Sequence, residues 1–137
     1  MLTVPYTTQY LTQHFADDEY TTLAGYERKG GYAAARKALT EMAPADLIQL
    51  VKDAGLQGRG GAGFSTGLKW SFMPTGGAQP KYLVCNADES EPGSFKDRIL
   101  IERGSHQMLE GILIAAWATG SEKTFIYIRG EYARPAV

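Results

Sequence analysis

Between Gly58 and Trp70 the chain reads Gly-Arg-Gly-Gly-Ala-Gly-Phe-Ser-Thr-Gly-Leu-Lys-Trp, and no other stretch constrains the fold as tightly. Five glycines from Gly58 to Gly67 let backbone approach an anion closely, with Arg59 and Lys69 near the two ends to neutralise it. The pattern is that of a phosphate cradle. A glycine cluster also describes a flexible surface loop, but Phe64, Trp70 and Phe72 add three large rings. Linkers rarely carry rings able to cover a planar ring system.

Gly58, Gly60 and Gly63 satisfy the GxGxxG spacing, yet the dinucleotide fingerprint requires a strand before the glycines and a helix opening on them. The preceding residues read as a helix instead. Leu47, Ile48, Leu50, Val51 and Ala54 follow a 3.6-residue rhythm, Pro44 suits a first helical position, and Gly55 suits the residue past the end. An ordinary Rossmann turn is rejected. No GKS or GKT follows the glycines, so a Walker loop is rejected too.

With 137 residues the chain is one domain in length. Its net charge of −1 gives no electrostatic reason for nucleic acid or an anionic membrane as partner. The single cysteine, Cys85, excludes an internal disulfide framework and a cysteine-ligated metal site built from this chain alone. No apolar run approaches the ~20 residues of a membrane span, and no basic-then-apolar leader opens the chain. The expectation is a soluble, cytoplasmic protein without direct membrane insertion.

The residues up to about Asp17 show no period and read as an extended arm lying on something larger. Short helices are expected over about 18–29 and 32–39, broken by Gly30 and Gly31, then the helix from Pro44 to Ala54. Pro74 to Pro80 reads as a turn, and Lys81 to Asn86 as a buried strand. Asp88, Glu89 and Glu91 leave the strand end, where open α/β sheets place ligands, and Pro92 and Gly93 turn the chain. A helix over about 95–102 follows, then a second with Ser105 as N-cap, Gly120 as stop and a buried stripe of Met108, Leu109, Ile112, Leu113 and Ala116. Thr124 to Arg129 is a second strand, parallel to the first by the usual right-handed crossover.

The fold class expected is therefore α/β: a helical preface over 1–54, and over 55–137 an incomplete Rossmann-like parallel-sheet domain. Two parallel strands cannot make a sheet covered on both faces, so the chain reads as an N-terminal piece completed by further residues or another chain.

Three segments together, Gly55 to Trp70, Cys85 to Arg98 and Ile128 to Tyr132, resemble the NADH-quinone oxidoreductase F family, which provides the flavin-bearing, NADH-oxidising subunit of respiratory complex I. The resemblance runs from about Gly30 to the end. It implies FMN held beside an NADH pocket in a Rossmann-like domain, with electrons leaving through iron-sulfur clusters. By motif position, Gly58, Arg59, Gly60, Gly61 and Lys69 line the flavin and its phosphate, and Asn86, Asp88 and Glu89 hydrogen-bond the flavin. Phe64 and Phe72 flank the adenine of NADH, while Lys69 and Glu91 contact its polar groups. The family's [4Fe-4S] cysteines, its second glycine- and glutamate-rich flavin loop and its asparagine-rich flavin contacts have no counterpart in these 137 residues, so the cluster is expected for the complete subunit only.

A carboxylate beside a ribose accepts its hydroxyl protons and repels an added 2′-phosphate, which makes Glu91 a candidate for NADH selectivity. The resemblance also implies iron-sulfur partner subunits in a peripheral arm on the inner face of the cell membrane. Soluble NAD-reducing hydrogenases and NAD-dependent formate dehydrogenases have a diaphorase subunit with the same motifs. A third reading is a nucleotide-binding or assembly module without turnover.

Ser65 stands where the family's loop usually has proline, expected to loosen the turn slightly. Cys85 reads as a small buried residue, His106 as an exposed helix-start residue, and His14 as part of the irregular arm. Trp70 and Trp117 read as core. Lys96, Asp97 and Arg98 read as residues that cap or cover the following helix.

Overall fold

Strand β1 (Tyr82–Ala87) and strand β2 (Lys123–Ile128) pair in parallel, in register from Tyr82 opposite Lys123 to Ala87 opposite Ile128. Both are short apolar or β-branched runs, but the buried strand expected from Lys81 is not buried: Ala87 is the one buried residue of the two strands, because among the described residues only α5 packs on them. The computed structural model describes residues 10–77 and 80–133. The parts of the expected arm, turn and tail at 1–9, 78–79 and 134–137 lie outside them.

Helix α5 (Lys96–Thr119) makes the crossover between the strands. The sequence divides it at Ser105; the chain instead runs on through one break at Gly104, with φ −134° and ψ 34°. At the break the ring of Phe15 lies against residue 104, where a Cβ would stand 3.3 Å from Phe15 Cε1. Gly120 ends the helix with φ +64°, as expected of a glycine stop.

Ahead of the sheet lie α1 (Leu23–Arg28), α2 (Ala33–Glu41), α3 (Pro44–Asp53) and α4 (Thr66–Trp70). The single helix expected over 18–29 is split into a 3-10 turn (Asp18–Thr21) and α1. Thr22 between them is extended because its hydroxyl accepts from the Gly25 amide at 3.1 Å. The described part of the arm is not extended. It folds in turns onto α5, with Phe15 on Gly104 and Arg103 paired to Asp18 at 2.6 Å.

Ala38 of α2, Leu47 of α3 and Ala118 of α5 form the buried core, and Met42, Ile48, Trp70 and Ile114 pack around it. The two parts that the sequence separates at residue 54 thus share one core. The stripe expected on α5 is corrected: Leu109 and Leu113 are exposed, while Glu110, Ala115 and Ala118 are buried. The reason is α2, whose start is held by the Glu110 carboxylate, so that the 110, 114 and 118 line of α5 turns inward. Trp70 is core as expected. Trp117 is not, being 40% exposed and donating its indole N–H to the Met42 carbonyl.

Two helices start on borrowed acceptors. Tyr32 precedes α2 in the left-handed region at φ +60° and supplies no side-chain cap. The Glu110 carboxylate accepts from Tyr32 N and Ala35 N at 3.0 Å each, and from the Tyr26 hydroxyl. Phe95 likewise supplies no side-chain cap to α5, and Glu89 fills that place.

Candidate functional site

Helix α3 ends as its sequence requires, with Pro44 in the first turn and Gly55 at φ +65° just beyond the Ala54 cap. The chain then closes a small antiparallel clip. Gln57 bridges Ser65, Gly58 N donates to the Phe64 carbonyl at 2.9 Å, and Thr66 N donates to the Leu56 carbonyl at 2.8 Å. The glycine stretch is the loop held by this clip. At Gly60 and Gly61 a Cβ would meet nothing within 4 Å, so the side of the loop where a ligand could lie is open. Among the described residues neither Arg59 nor Lys69 is in an ion pair, which leaves both cations available to an anion.

Ser65 has a polar role at this turn that proline would lack. Its hydroxyl accepts from Leu68 N at 3.4 Å and caps α4, a helix that the sequence pattern merges into the loop. Gly67 brings α4 onto α3: a Cβ there would stand 2.5 Å from Lys52 N and 3.0 Å from the Ile48 carbonyl. Lys69 and Phe72 follow on this short helix and its end. The exposed rings of Phe64 and Phe72 come together at 6.1 Å between centroids, inclined at 53°.

At the carboxyl end of β1, the Asn86 side chain accepts from Asp88 N at 3.1 Å, and the Ser90 hydroxyl donates to both Asp88 oxygens at 2.9 Å. Glu91 is exposed. Glu89 is different from its neighbours. Only 3% exposed, it accepts from Ser94 Oγ and Asp97 N on one oxygen and from Arg98 N and Tyr132 Oη on the other, at 2.9 to 3.1 Å. Four donors fill the four lone-pair positions of a carboxylate, leaving none for the flavin contact expected from sequence. Burial pushes this carboxyl up, but the Asp97 and Arg98 amides and the Ser94 and Tyr132 hydroxyls outweigh it and hold it at about 2.

The structure therefore brings together Phe64 with Phe72, and Asn86 with Asp88. No hydrogen bond or ion pair between described residues joins the glycine loop to the strand-end carboxylates. Lys96, Asp97 and Arg98 open α5 as expected, with the last two giving their amides to Glu89. His106 is not exposed at a helix start: it is half-buried, stacked on Tyr26, with Nδ1 2.8 Å from the Tyr32 hydroxyl. Cys85 is half-buried on the wall of a 270 Å³ cavity with Ala87, Ile101 and Met108, and burial pushes its thiol up.

Arg129 and Tyr132 escaped the sequence-based site. Arg129 donates to the Glu89 carbonyl at 2.7 Å and lies 5.3 Å from the Tyr132 ring centroid. The available signal was their position, directly after a parallel strand that ends beside the acidic turn.

Residues 51–136 match a family described as the Nuo51 FMN-binding domain. The chain is 58% identical over 110 residues to the F 2 subunit of NADH-quinone oxidoreductase from Rhizobium meliloti, covering 80% of this chain and 26% of that protein. It is 52% identical over 132 residues to the F subunit of NADH-quinone oxidoreductase from Escherichia coli, covering 95% and 30%. Among solved structures, an NAD+-reducing [NiFe]-hydrogenase in the air-oxidized state is similar with a TM-score of 0.63 and 46% identity, over 68% of this chain and 16% of that one. The chain thus spans less than a third of the curated relatives it matches.

Proposed function

The chain belongs to the Nuo51 FMN-binding domain family, and from that premise we propose that it is part of the electron-input subunit of an NADH:quinone oxidoreductase. The observation that carries this reading is the clipped glycine loop. It is open at Gly60 and Gly61, carries Arg59, and is followed by Lys69 and the paired rings of Phe64 and Phe72.

FMN fits these residues: the open glycine faces admit a phosphate or ring edge, and the two cations match its charge. When bound, FMN would supply a ring able to take up a hydride's two electrons and release them singly. The chain's own work is holding and excluding. Gly58, Arg59, Gly60, Gly61 and Lys69 bind the flavin and its phosphate, and Asn86 and Asp88 hold it from the end of β1. Phe64 and Phe72 cover the adenine of NADH, while Lys69 and Glu91 meet its polar groups. Glu91, exposed at the loop, accepts ribose hydroxyls and repels a 2′-phosphate.

In this reading turnover belongs to the complete subunit, which also carries the [4Fe-4S] cluster and docks on iron-sulfur subunits at the inner face of the cell membrane. Among the described residues no helix is long and apolar enough to cross a membrane. The complete protein loaded with FMN is expected to reduce ferricyanide with NADH. Absence of this turnover overturns the proposal. The likeness to the NAD+-reducing hydrogenase favours one second reading, a diaphorase subunit of such an enzyme. Partners isolated with the native protein, quinone-linked or hydrogenase-linked, decide between them.

A further inference from the structure

Parallel pairing of Ala87 with Ile128 sends both strands out of the sheet at the same end. Glu89 comes two residues after β1 and Tyr132 four residues after β2. The Tyr132 hydroxyl donates to Glu89 Oε2 at 3.0 Å, and Arg129 donates to the Glu89 carbonyl at 2.7 Å. Tyr132, 9% exposed, has the guanidinium groups of Arg129 and Arg98 5.3 Å and 5.8 Å from its ring centroid. Arg129 is itself braced by both oxygens of Glu131 at 3.1 Å.

Starting α5 requires only that Glu89 accept from the Asp97 and Arg98 amides. The bond from Arg129 goes to the Glu89 backbone and not to the group that caps the helix, and Tyr132 reaches the helix only through the shared carboxylate. The two bonds join the exit of β2 to the exit of β1, by both backbone and side chain of one residue. That residue lies between Asp88 and Glu91, whose side chains are left uncommitted to the interior.

We propose that Arg129, Tyr132 and Glu89 form a tie between the two strand exits that positions Asn86, Asp88 and Glu91 for the flavin and NADH. The inference rests on the reading of the site given above. None of the three touches the ligand in it; they are positioning residues. Arg129 takes the Glu89 carbonyl and Tyr132 its carboxylate, while the guanidinium groups of Arg98 and Arg129 flank the Tyr132 ring, so the tie holds one buried residue by backbone and side chain together.

The test uses the complete FMN-loaded enzyme, with NADH and ferricyanide. Tyr132→Phe and Arg129→Met are expected to raise the KM for NADH about five- to ten-fold, because one charge-assisted bond fixes the loop that meets the nucleotide. Their kcat stays within about two-fold. Arg129→Lys, which keeps a donor, recovers part of the loss. Ser94→Ala removes a bond to the same carboxylate from the helix side, not from β2, and leaves KM within about two-fold.

Unchanged KM in Tyr132→Phe and Arg129→Met, even with a lowered melting temperature, overturns the tie as a positioning device. So does a KM increase in Ser94→Ala equal to that in Tyr132→Phe. If both β2 variants lose fold and flavin together, the tie is a folding element and the inference is also overturned. An FMN-loaded wild type without turnover overturns the reading of the site itself, and the tie with it.

Discussion

Glu89 shows how one side chain decides what its neighbours can do. Its carboxyl sits at about 2 in the fold against 4.5 ordinarily, so its stabilisation is complete above about 4.5 and is lost as pH falls through about 2. Denaturant midpoints measured from pH 5 down to pH 2 are expected to fall across that window. Glu89→Gln should lower stability by about 2 kcal/mol at neutral pH, because an amide must turn its NH2 toward donors. It should also flatten the acid slope. A slope unchanged by Glu89→Gln would assign it to other carboxylates, such as Glu110 and Glu131, which hydrogen bonds also hold below their usual range.

Among the elements, the clip and α4 divide the glycines by task. Gly67→Ala presses a methyl group into the α3 backbone and is expected to cost about 1–3 kcal/mol. Gly61→Ala projects into open space, so it should leave the melting temperature unchanged and weaken FMN binding. Equal losses of stability in the two variants would show that the open side of the loop is not a binding face. The strands, α3 with its Pro44 start and Gly55 exit, and the Gly120 stop were legible in sequence because each rests on local chemistry. Phe64 and Phe72 stand out by residue type beside the glycines and Asp88 by its place at a strand end, whereas Asn86 enters only through the family resemblance. The Gly104 break, the inward turn of Glu110 and the engagement of Glu89 were not legible, because Phe15, Tyr26 and Tyr132 reach them from distant parts of the chain.

For the whole molecule, the sheet has one covered face and one open face. Helix α5 lies on the Leu83 and Cys85 side, while Tyr82, Val84, Phe125 and Tyr127 are 50–62% exposed on the other. Parallel sheets are almost always covered twice, and an apolar patch of this kind drives association. The 137-residue chain alone is expected to bind hydrophobic dyes and to self-associate, and Phe125→Lys with Tyr127→Lys should suppress both. A monodisperse chain with no dye binding would contradict this. The start of α2 has a different consequence, in the order of synthesis. Ala35 N waits for a carboxylate 75 positions later, whereas Glu89 is made 8 residues before the amide it meets at Asp97. At ribosomal rates that separation leaves the first turn of α2 without its acceptor for roughly 4–15 seconds. The crossover helix can be secured as it emerges, and it then carries back the group that completes a helix made before it.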